Sequence, residues 1–343
     1  MTSPPLVPPD SVARFIERLP TPIAVTGGTG FVGSHLVDTL CAAGLKPRVL
    51  VRDPAAPRWI SGQPIEAVPG TLEDRAALDR LVGGAGTVFH LAGLLTADRA
   101  EDFNRVNRDG TARLVEAADA AAVARFVYVS SQAAAGPSRD PAGVGPEAAP
   151  SPISDYGRSK LCGERAVAAL GDEAWWAVVR PPAIYGPRDT DVLEFFKMAS
   201  RGLAVVPAGE RWLTVAHVAD VVRGLLAAAA GGASGRIYHL GEPAPRRLDQ
   251  MLRELAAAGG KKVRVIPLPV GAVGIVGAAA GLLRRAGLVD TALTRDKAHE
   301  IAARHWTLRT VDSLAALGLD APIPFPVGAR ETWAWYRSQG WLR

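Results

Sequence analysis

The chain has 343 residues, of which 48% are hydrophobic and 21% are charged, a composition typical of a folded globular protein with a full hydrophobic core. The net charge of +5 is the balance of 39 basic and 34 acidic residues, which are spread along the chain. No basic run with interleaved aromatic residues is present, which argues against nucleic acid as a partner.

The first 20 residues predict an N-terminal leader, in which a flexible segment over 1–10 comes before a short helix at 11–19. The segment is rich in proline and lacks both a basic start and an apolar core, so it does not have the pattern of a secretory signal. Cys41 and Cys162 fall in predicted helices without metal-ligand spacing, and we expect buried thiols in a reducing compartment. The sequence therefore predicts a cytoplasmic protein without a metal site.

A strand at 22–26 leads directly into a glycine-rich turn and a helix. The turn carries three glycines, Gly27, Gly30 and Gly33, and the helix begins at Phe31 and Val32. These glycines would permit a tight turn, a close approach of backbone N–H groups to a diphosphate, and contact between helix and strand. The helix N-terminus would then face the phosphates. The motif predicts a dinucleotide-binding unit.

Apolar strands alternate with helical patterns through the first 180 residues, the rhythm of a parallel sheet covered on both faces. The predicted strands are 22–26, 47–51, 65–68, 87–91, 125–130 and 175–180, and the predicted helices are 31–43, 74–82, 103–122 and 155–170. We expect an α/β fold with a doubly wound parallel Rossmann sheet over 21–186 and a smaller C-terminal α/β lobe for the substrate over 187–343, some of whose elements return to the sheet.

The residue at the tip of the second strand distinguishes between the two nicotinamide cofactors. An acid there would bind the ribose 2′-hydroxyl of NAD, whereas an arginine accommodates the 2′-phosphate of NADP. Val51 stands where the acid is expected and Arg52 follows it. The sequence therefore favours NADP(H), while Asp53 keeps NAD(H) open, and a solvent-exposed role for Arg52 is the simpler alternative.

The ends of the fourth and fifth strands are further candidates for the site. Leu91, Ala92 and Gly93 are small or apolar residues that would let the backbone approach the cofactor, whereas His90 is expected to support the fold from inside its strand. Ser130 and Ser131 end the fifth strand, and one of these hydroxyls is a site candidate. Residues 136–154 predict either a mobile loop over the pocket or an ordinary surface loop.

Tyr156 and Lys160 lie four residues apart in a predicted helix and therefore share one face. A free phenol titrates near ~10, and a neighbouring ammonium lowers that pKa toward the range of an effective acid or base. We expect Lys160 to do this and to hold the nicotinamide ribose. Ser131 would orient the substrate oxygen toward Tyr156.

Together, these motifs resemble the extended short-chain dehydrogenases/reductases. The resemblance rests on Thr26-Gly27-x-x-Gly30-x-x-Gly33, Ser131, Tyr156-x-x-x-Lys160 and the run 180–187, Arg-Pro-Pro-Ala-Ile-Tyr-Gly-Pro. It implies that the tyrosine is the general acid/base, the lysine its activator and the serine the substrate clamp. It also implies that Asn107 serves a water-linked proton path, although Asn107 could simply bind local backbone. By the same resemblance, Thr71, Leu72 and Pro182 belong to the cofactor site.

Three positions depart from the family pattern and narrow the choice of substrate. Thr71 replaces an aspartate near the adenine, Ala183 an asparagine, and Leu213 an arginine that binds a substrate diphosphate. A nucleotide-sugar substrate is therefore less favoured. The motif at 180–187 is instead similar to that of 3β-hydroxysteroid and sterol decarboxylating dehydrogenases. The family also forms homodimers through helices near 103–122 and 155–170, which we expect here.

The predicted C-terminal lobe shows weaker patterns. We expect helices at 191–201, 218–230 and 248–258, strands at 236–240 and 263–269, and a packed helix near 331–342. His217 and Asp220 could reach a substrate, but we expect them to support the fold. Residues 270–283 contain no charge. They predict a core helix, an apolar wall for a lipid-like substrate, or a helix lying on a membrane.

The leading hypothesis is an NAD(P)-dependent oxidoreductase acting on a secondary alcohol or ketone of a fairly apolar, sterol- or terpenoid-like small molecule. A β-keto acid product would favour decarboxylation. A nucleotide-sugar epimerase or dehydratase is the first alternative, and a non-catalytic scaffold that senses the cofactor is the second.

Overall fold

The computed structural model describes residues 5–171, 174–269 and 295–342. The prediction for residues 270–283 therefore lies outside the described residues. Within them, the fold is α/β, as predicted. No described helix is long and apolar enough to cross a membrane.

A seven-stranded, wholly parallel sheet forms the centre of the molecule, with strand order β11-β6-β5-β4-β1-β2-β3. The order reverses beside β1, as in a doubly wound Rossmann sheet. Its strands are β1 Ile23–Thr26, β2 Arg48–Val51, β3 Glu66–Pro69, β4 Thr87–His90, β5 Arg125–Val129, β6 Trp176–Arg180 and β11 Arg236–His239. The six strands predicted before residue 181 are thus all present, with ends that differ by one residue.

The first part of the chain also forms the helices that cover this sheet. These helices are α1 Pro9–Ile16, α2 Phe31–Ala42, α3 Arg75–Val82, α4 Ala100–Phe103, α5 Gly110–Ala120, α6 Gln132–Ala135 and α7 Asp155–Ala168, with a short 3₁₀ turn at Arg58–Ile60. The helix predicted at 103–122 is interrupted, because Asn104–Asp109 forms a π-helix between α4 and α5. Such π segments place an extra residue in the helix and are frequent at functional sites.

The later part of the chain adds three small sheets and further helices. Their strands are β7 Ala183–Tyr185, β8 Leu203–Pro207, β9 Trp212–Leu213, β10 Val215–His217, β12 Arg246–Arg247, β13 Arg264–Leu268 and β14 His305–Trp306. Their helices are α8 Leu193–Arg201, α9 Val218–Gly231, α10 Leu248–Ala258, α11 Arg295–Ala302, α12 Val311–Ala316 and α13 Phe325–Ser338. The strand predicted at 236–240 is β11, an edge strand of the central sheet.

Three hydrophobic clusters hold these layers together. Two of them cover the two faces of the central sheet, and the third joins α8, α10 and α13 around Phe196, Trp333 and Tyr336. The segment before the first helix differs from the flexible one predicted, because Val7 is buried in the first cluster together with Val12 and Phe15 of α1. These apolar side chains pack against α9, a contact that the local sequence does not predict.

Two further expectations need correction. Cys41 is buried as predicted, but Cys162 is only half-buried. The loop 136–154 is fastened to the segment around β14, since Ser138 N–H donates to the His305 carbonyl and Val144 N–H to the Thr307 carbonyl, at 2.9 and 3.0 Å. These hydrogen bonds join distant parts of the chain and hold the loop in place. The composition of the loop indicated mobility because it carries no information about such long-range contacts.

Candidate active site

The carboxyl edge of the central sheet gathers the predicted site residues. The glycine turn follows β1, Arg52 follows β2, Thr71 and Leu72 follow β3, Leu91 to Gly93 follow β4, Ser131 follows β5, and Pro182 follows β6. Because the strands are parallel, six loops distant in sequence meet at one edge. This is the edge at which ligands bind in open α/β sheets.

The glycine turn has no room for a side chain at Gly27 or Gly33. A Cβ on Gly33 would lie 2.1 Å from the Gly27 carbonyl oxygen, and one on Gly27, whose φ is +72°, would lie 2.6 Å from the Ala92 nitrogen. The helix α2 then begins at Phe31, and no side chain caps its N-terminus. Its first N–H groups have no acceptor within the helix. These features fit the diphosphate of a dinucleotide.

Two positions near the adenosine end bear on cofactor choice. Arg52 is exposed at the tip of β2. Asp53 is also exposed, but its carboxylate accepts a hydrogen bond from the Ala55 N–H at 3.0 Å, which forms a local turn. Thr71 is likewise engaged in a turn, as its hydroxyl accepts from the Glu73 N–H at 3.2 Å.

Tyr156 lies half-buried in the first turn of α7, with its ring 6.0 Å from that of Phe103. Burial raises the pKa of Tyr156 above its usual value, a hydrogen bond with Ser131 lowers it, and the charges of Glu300 and Asp191 raise it further. The sequence expectation that Lys160 lowers this pKa is therefore not met in this structure. Desolvation of the phenolate outweighs the other influences.

Lys160 is buried one helical turn beyond Tyr156. Its ammonium donates to the Val129 carbonyl at 2.7 Å and lies 4.3 Å from the centre of the Tyr128 ring. Burial lowers the pKa of Lys160 to about 7, against the opposing effect of the Glu164 carboxylate. A Cβ on Gly93 would come within 3.6 Å of the ammonium nitrogen, so Lys160 reaches the loop after β4.

The two serines at the end of β5 have different partners. The hydroxyl of Ser130 donates to Glu164, which also binds Arg180 through two hydrogen bonds of 2.7 and 2.6 Å. Arg180 and Glu164 are almost completely buried. Ser131 instead caps α6 and interacts with Tyr156. Of the two serines, Ser131 is therefore the one whose hydroxyl lies beside Tyr156.

Asn107 lies in the π-helix and is buried. Its amide group donates to the Leu94 carbonyl at 3.0 Å and to the Ser159 hydroxyl at 2.9 Å, and its carbonyl accepts from the Leu94 N–H at 2.7 Å. These contacts match the alternative that Asn107 binds local backbone. They also tie the loop after β4 to the helix that carries Tyr156, and the proton path stays a prediction.

His90 and His217 take structural positions. Both nitrogens of His90 have hydroxyl partners, Thr26 at 2.6 Å and Thr111 at 2.9 Å, and burial lowers its pKa to about 3. His217 is buried against the ring of Tyr185. Asp220 accepts from the Ile323 N–H at 2.9 Å and so connects α9 to the segment before α13. These contacts agree with the expected support of the fold.

A group of residues from α11 completes the surroundings of Tyr156, and the sequence analysis did not find it. Asp296 accepts hydrogen bonds from the backbone N–H groups of Asp155 and Tyr156, at 2.7 and 3.2 Å. Glu300 accepts from the Ser154 hydroxyl at 2.7 Å and from Lys297 at 2.9 Å. No local motif marks these residues, because their role depends on contact with a helix about 140 positions earlier.

Comparisons with known proteins find a matching family model and several similar sequences. The sequence model of the NAD dependent epimerase/dehydratase family matches residues 23–241. A ceramide reductase of Caulobacter vibrioides is 39% identical over 93% of this chain and 96% of its own length. A 4-hydroxy-2-methyl-3-oxo-4-farnesyl-3,4-dihydroquinoline-1-oxide ketoreductase of Stigmatella aurantiaca is 34% identical, over 71% and 75% of the two chains.

A 3β-hydroxysteroid dehydrogenase/Δ5→4-isomerase of Mycobacterium tuberculosis is also similar, with 30% identity over 70% of each chain. Among solved structures, gox2253 has a TM-score of 0.77 and 27% identity, covering 94% of this chain and 99% of that one. MoeE5 in complex with UDP-glucose and NAD has a TM-score of 0.73 at 23% identity, covering 93% and 99%, which is evidence for the fold alone.

Proposed function

The chain belongs to the NAD-dependent epimerase/dehydratase family and is an NAD(P)-dependent oxidoreductase of the extended short-chain dehydrogenase/reductase type. From this premise, we propose that it reduces a ketone on a long-chain, ceramide-like lipid. The observation that carries the proposal is the position of Tyr156, which meets Ser131 at the carboxyl edge of the sheet with Lys160 one turn away. The name of the relative that is 39% identical over 93% of this chain supports the lipid class.

The roles of the residues follow from their positions. A bound nicotinamide cofactor would supply the hydride for reduction in its reduced form and would accept the hydride for oxidation in its oxidised form. Tyr156 donates a proton to the ketone oxygen in reduction or accepts one from the alcohol in oxidation, and Ser131 orients that oxygen by a hydrogen bond. A carbonyl oxygen that gains negative charge at this edge is stabilised by both hydroxyls. Lys160 in its protonated form would stabilise the phenolate left after proton transfer.

Two substitutions support an apolar substrate over a nucleotide sugar. Ala183 is exposed after β6, and Leu213 is half-buried in β9. Neither can bind a diphosphate, whereas the family's asparagine and arginine can. The 3β-hydroxysteroid dehydrogenase makes a sterol the second candidate, and a sterol demethylase protein B of Methylococcus capsulatus, 35% identical over 48% of this chain, allows oxidation followed by decarboxylation.

Turnover with defined ketones tests the proposal. Purified protein should oxidise NADPH with an N-acylated long-chain 3-keto lipid and should show little turnover with a sterol ketone or a UDP-sugar. Tyr156→Phe should lower kcat by about 10²- to 10⁴-fold and leave cofactor affinity unchanged. Tyr238→Phe, which removes a hydroxyl that binds Ala233, is the matched control. Full turnover by Tyr156→Phe would contradict the mechanism.

We also propose that NADP(H) is the preferred cofactor, because Arg52 is exposed where a 2′-phosphate would lie and Asp53 is engaged by Ala55. Arg52→Ala should raise the KM for NADPH about tenfold or more and change the KM for NADH little. Arg80→Ala, another exposed arginine, is the control. An equal change in the KM for NADPH and for NADH would favour the alternative that Arg52 does not bind the 2′-phosphate.

The homodimer is the last part of the proposal. Helices α5 and α7 adjoin each other, and α7 presents the exposed residues Arg158 and Arg165. Sedimentation velocity of the wild type should show a dimer that Arg165→Glu weakens.

A further inference from the structure

The substrate lobe carries a small sheet whose outer face is apolar. Strands β8 and β13 pair in parallel, with Val205 opposite Ile266. Leu203, Val205 and Ile266 are 45%, 47% and 38% exposed, and they are three of the six large apolar side chains exposed among the described residues. Single exposed apolar residues are ordinary, but a cluster of them marks an interaction surface.

Basic residues cluster at one end of this small sheet, next to the apolar side chains. Arg201, Lys261, Lys262 and Arg264 are all exposed at the starts of the two strands. Their closeness follows from the Arg264 N–H, which donates to the Gly202 carbonyl at 2.9 Å and brings the two segments together. We call the three apolar and four basic residues together the β8–β13 face.

Acidic residues are absent from both segments that build this face. The sequence has no Asp or Glu over 195–209 or over 255–269. The acids directly beside these stretches in the described residues have partners of their own, since Glu194 binds Lys197, Glu210 binds Arg247 and Glu254 binds Arg246. The β8–β13 face is therefore a positively charged surface with an apolar centre, complementary to an anionic layer above hydrocarbon.

Direct contacts connect this face with the surroundings of Tyr156. The Ala208 N–H donates to the Leu268 carbonyl at 2.7 Å at the end of the sheet. Arg211 then donates to the carbonyls of Ile301, Ala302 and Ala303, at the C-terminal end of α11. The other end of α11, about 10 Å away by the rise per residue, holds the backbone of Tyr156 through Asp296.

We propose that the β8–β13 face docks the enzyme on an anionic lipid bilayer. The apolar side chains enter the headgroup region, and the four cations bind lipid phosphates. A lipid substrate would then pass from the bilayer to the candidate site at the edge of the central sheet, which α11 adjoins. The transfer of a lipid substrate rests on the proposed function, whereas binding of the protein to a bilayer does not. Bilayer binding and ketone reduction are therefore measured separately.

Co-sedimentation with vesicles tests the docking. Wild-type protein should bind vesicles of phosphatidylcholine containing about one third phosphatidylglycerol, and not phosphatidylcholine alone. Lys261→Glu/Lys262→Glu should weaken binding about tenfold or more, and Val205→Ser/Ile266→Ser should weaken it at every salt concentration. The variant Lys46→Glu/Arg236→Glu changes two exposed residues, one shortly before β2 and one at the start of β11. It makes the same charge change elsewhere and should bind as wild type.

The outcomes separate docking from catalysis. All four proteins should reduce a water-soluble, short-chain ketone equally well. If the wild type fails to bind anionic vesicles, or if the Lys261→Glu/Lys262→Glu variant binds them like the control, the docking proposal is wrong even when ketone reduction is observed. Vesicle binding without reduction of any ketone would instead leave docking in place and refute the proposed function. If the variants alter self-association in sedimentation velocity but not vesicle binding, the face joins two copies of the chain and the proposal is overturned.

Discussion

Asp296 binds the backbone of Tyr156, although 140 positions separate the two residues in the chain. Its carboxylate also accepts the Asp155 N–H, so it occupies the positive end of α7, where an anion stabilises a helix. A helix of the C-terminal part of the chain, α11, thereby contacts the first turn of α7, which carries the phenol.

Removing this carboxylate should affect catalysis more than cofactor binding. In Asp296→Ala, the first turn of α7 loses two hydrogen bonds, and we expect kcat/KM to fall about tenfold with unchanged affinity for NADPH. The loss of helix capping should lower the free energy of unfolding by about 1–2 kcal/mol. Steady-state kinetics and urea denaturation measure the two effects.

The control for this change is Asp312→Ala, which removes an exposed carboxylate from the first turn of α12. Kinetics like those of the wild type are expected for it. If Asp296→Ala weakens NADPH binding as much as turnover, Asp296 supports the whole domain and does not position Tyr156.

Lys160 should take up a proton when the cofactor binds. Its pKa is lowered to about 7 by burial, so the free enzyme holds it mostly neutral at pH 8.5. Ribose hydroxyls of a bound dinucleotide that accept hydrogen bonds from the Lys160 ammonium favour its charged form and raise its pKa, so the complex holds more protons than the free enzyme. Affinity should therefore fall as pH rises above 7, by up to about tenfold per unit.

Calorimetry at pH 8.5 in buffers of different ionisation enthalpy measures this proton uptake. Lys160→Met should bind without it, whereas the exposed Lys46→Met should behave as the wild type. Stability gives a second reading. The native pKa lies below the unfolded value of about 10.4, so the unfolded chain binds more protons in this range and unfolding free energy rises with pH between them. Equal uptake in Lys160→Met would assign the proton to another group.

The ion pair between Glu164 and Arg180 should be essential for folding. Arg180 is 1% exposed, and one of its guanidinium nitrogens already lacks a partner among the described residues. Glu164→Gln leaves a buried charge without its counter-ion, which costs about 3–5 kcal/mol. Urea denaturation should show this loss, while Asp79→Asn, which breaks an exposed pair with Arg75, should change stability by less than about 1 kcal/mol. Equal effects of the two substitutions would contradict the argument.

Gly33→Ala should disrupt the dinucleotide turn. The added methyl group would lie 2.1 Å from the Gly27 carbonyl oxygen, so α2 must move away from β1. We expect NADPH affinity to fall by at least about tenfold and stability to fall by about 1–3 kcal/mol. Gly231→Ala, whose nearest neighbour would be 3.9 Å away, should leave both unchanged. Fluorescence titration with NADPH measures the affinity, and wild-type affinity in Gly33→Ala would refute the role of this turn.

The sequence by itself determined the central sheet and most of the site. Alternating apolar strands and helices, three glycines at fixed spacing, and a tyrosine and lysine one turn apart are local patterns, and each follows from backbone geometry or helical periodicity. Parallel strands bring their carboxyl ends to one edge, so the positions of Gly27, Ser131 and Tyr156 could be predicted without coordinates.

Only the tertiary structure decided what surrounds these residues. Asp296 and Glu300 reach Tyr156 across 140 positions, and the pKa values of Tyr156 and Lys160 depend on burial, which the local sequence does not express. The same holds for the π-helix at Asn107 and for the pairing of β8 with β13. Long-range packing creates these features, because a contact between distant segments depends on how the whole chain folds and not on the residues beside it.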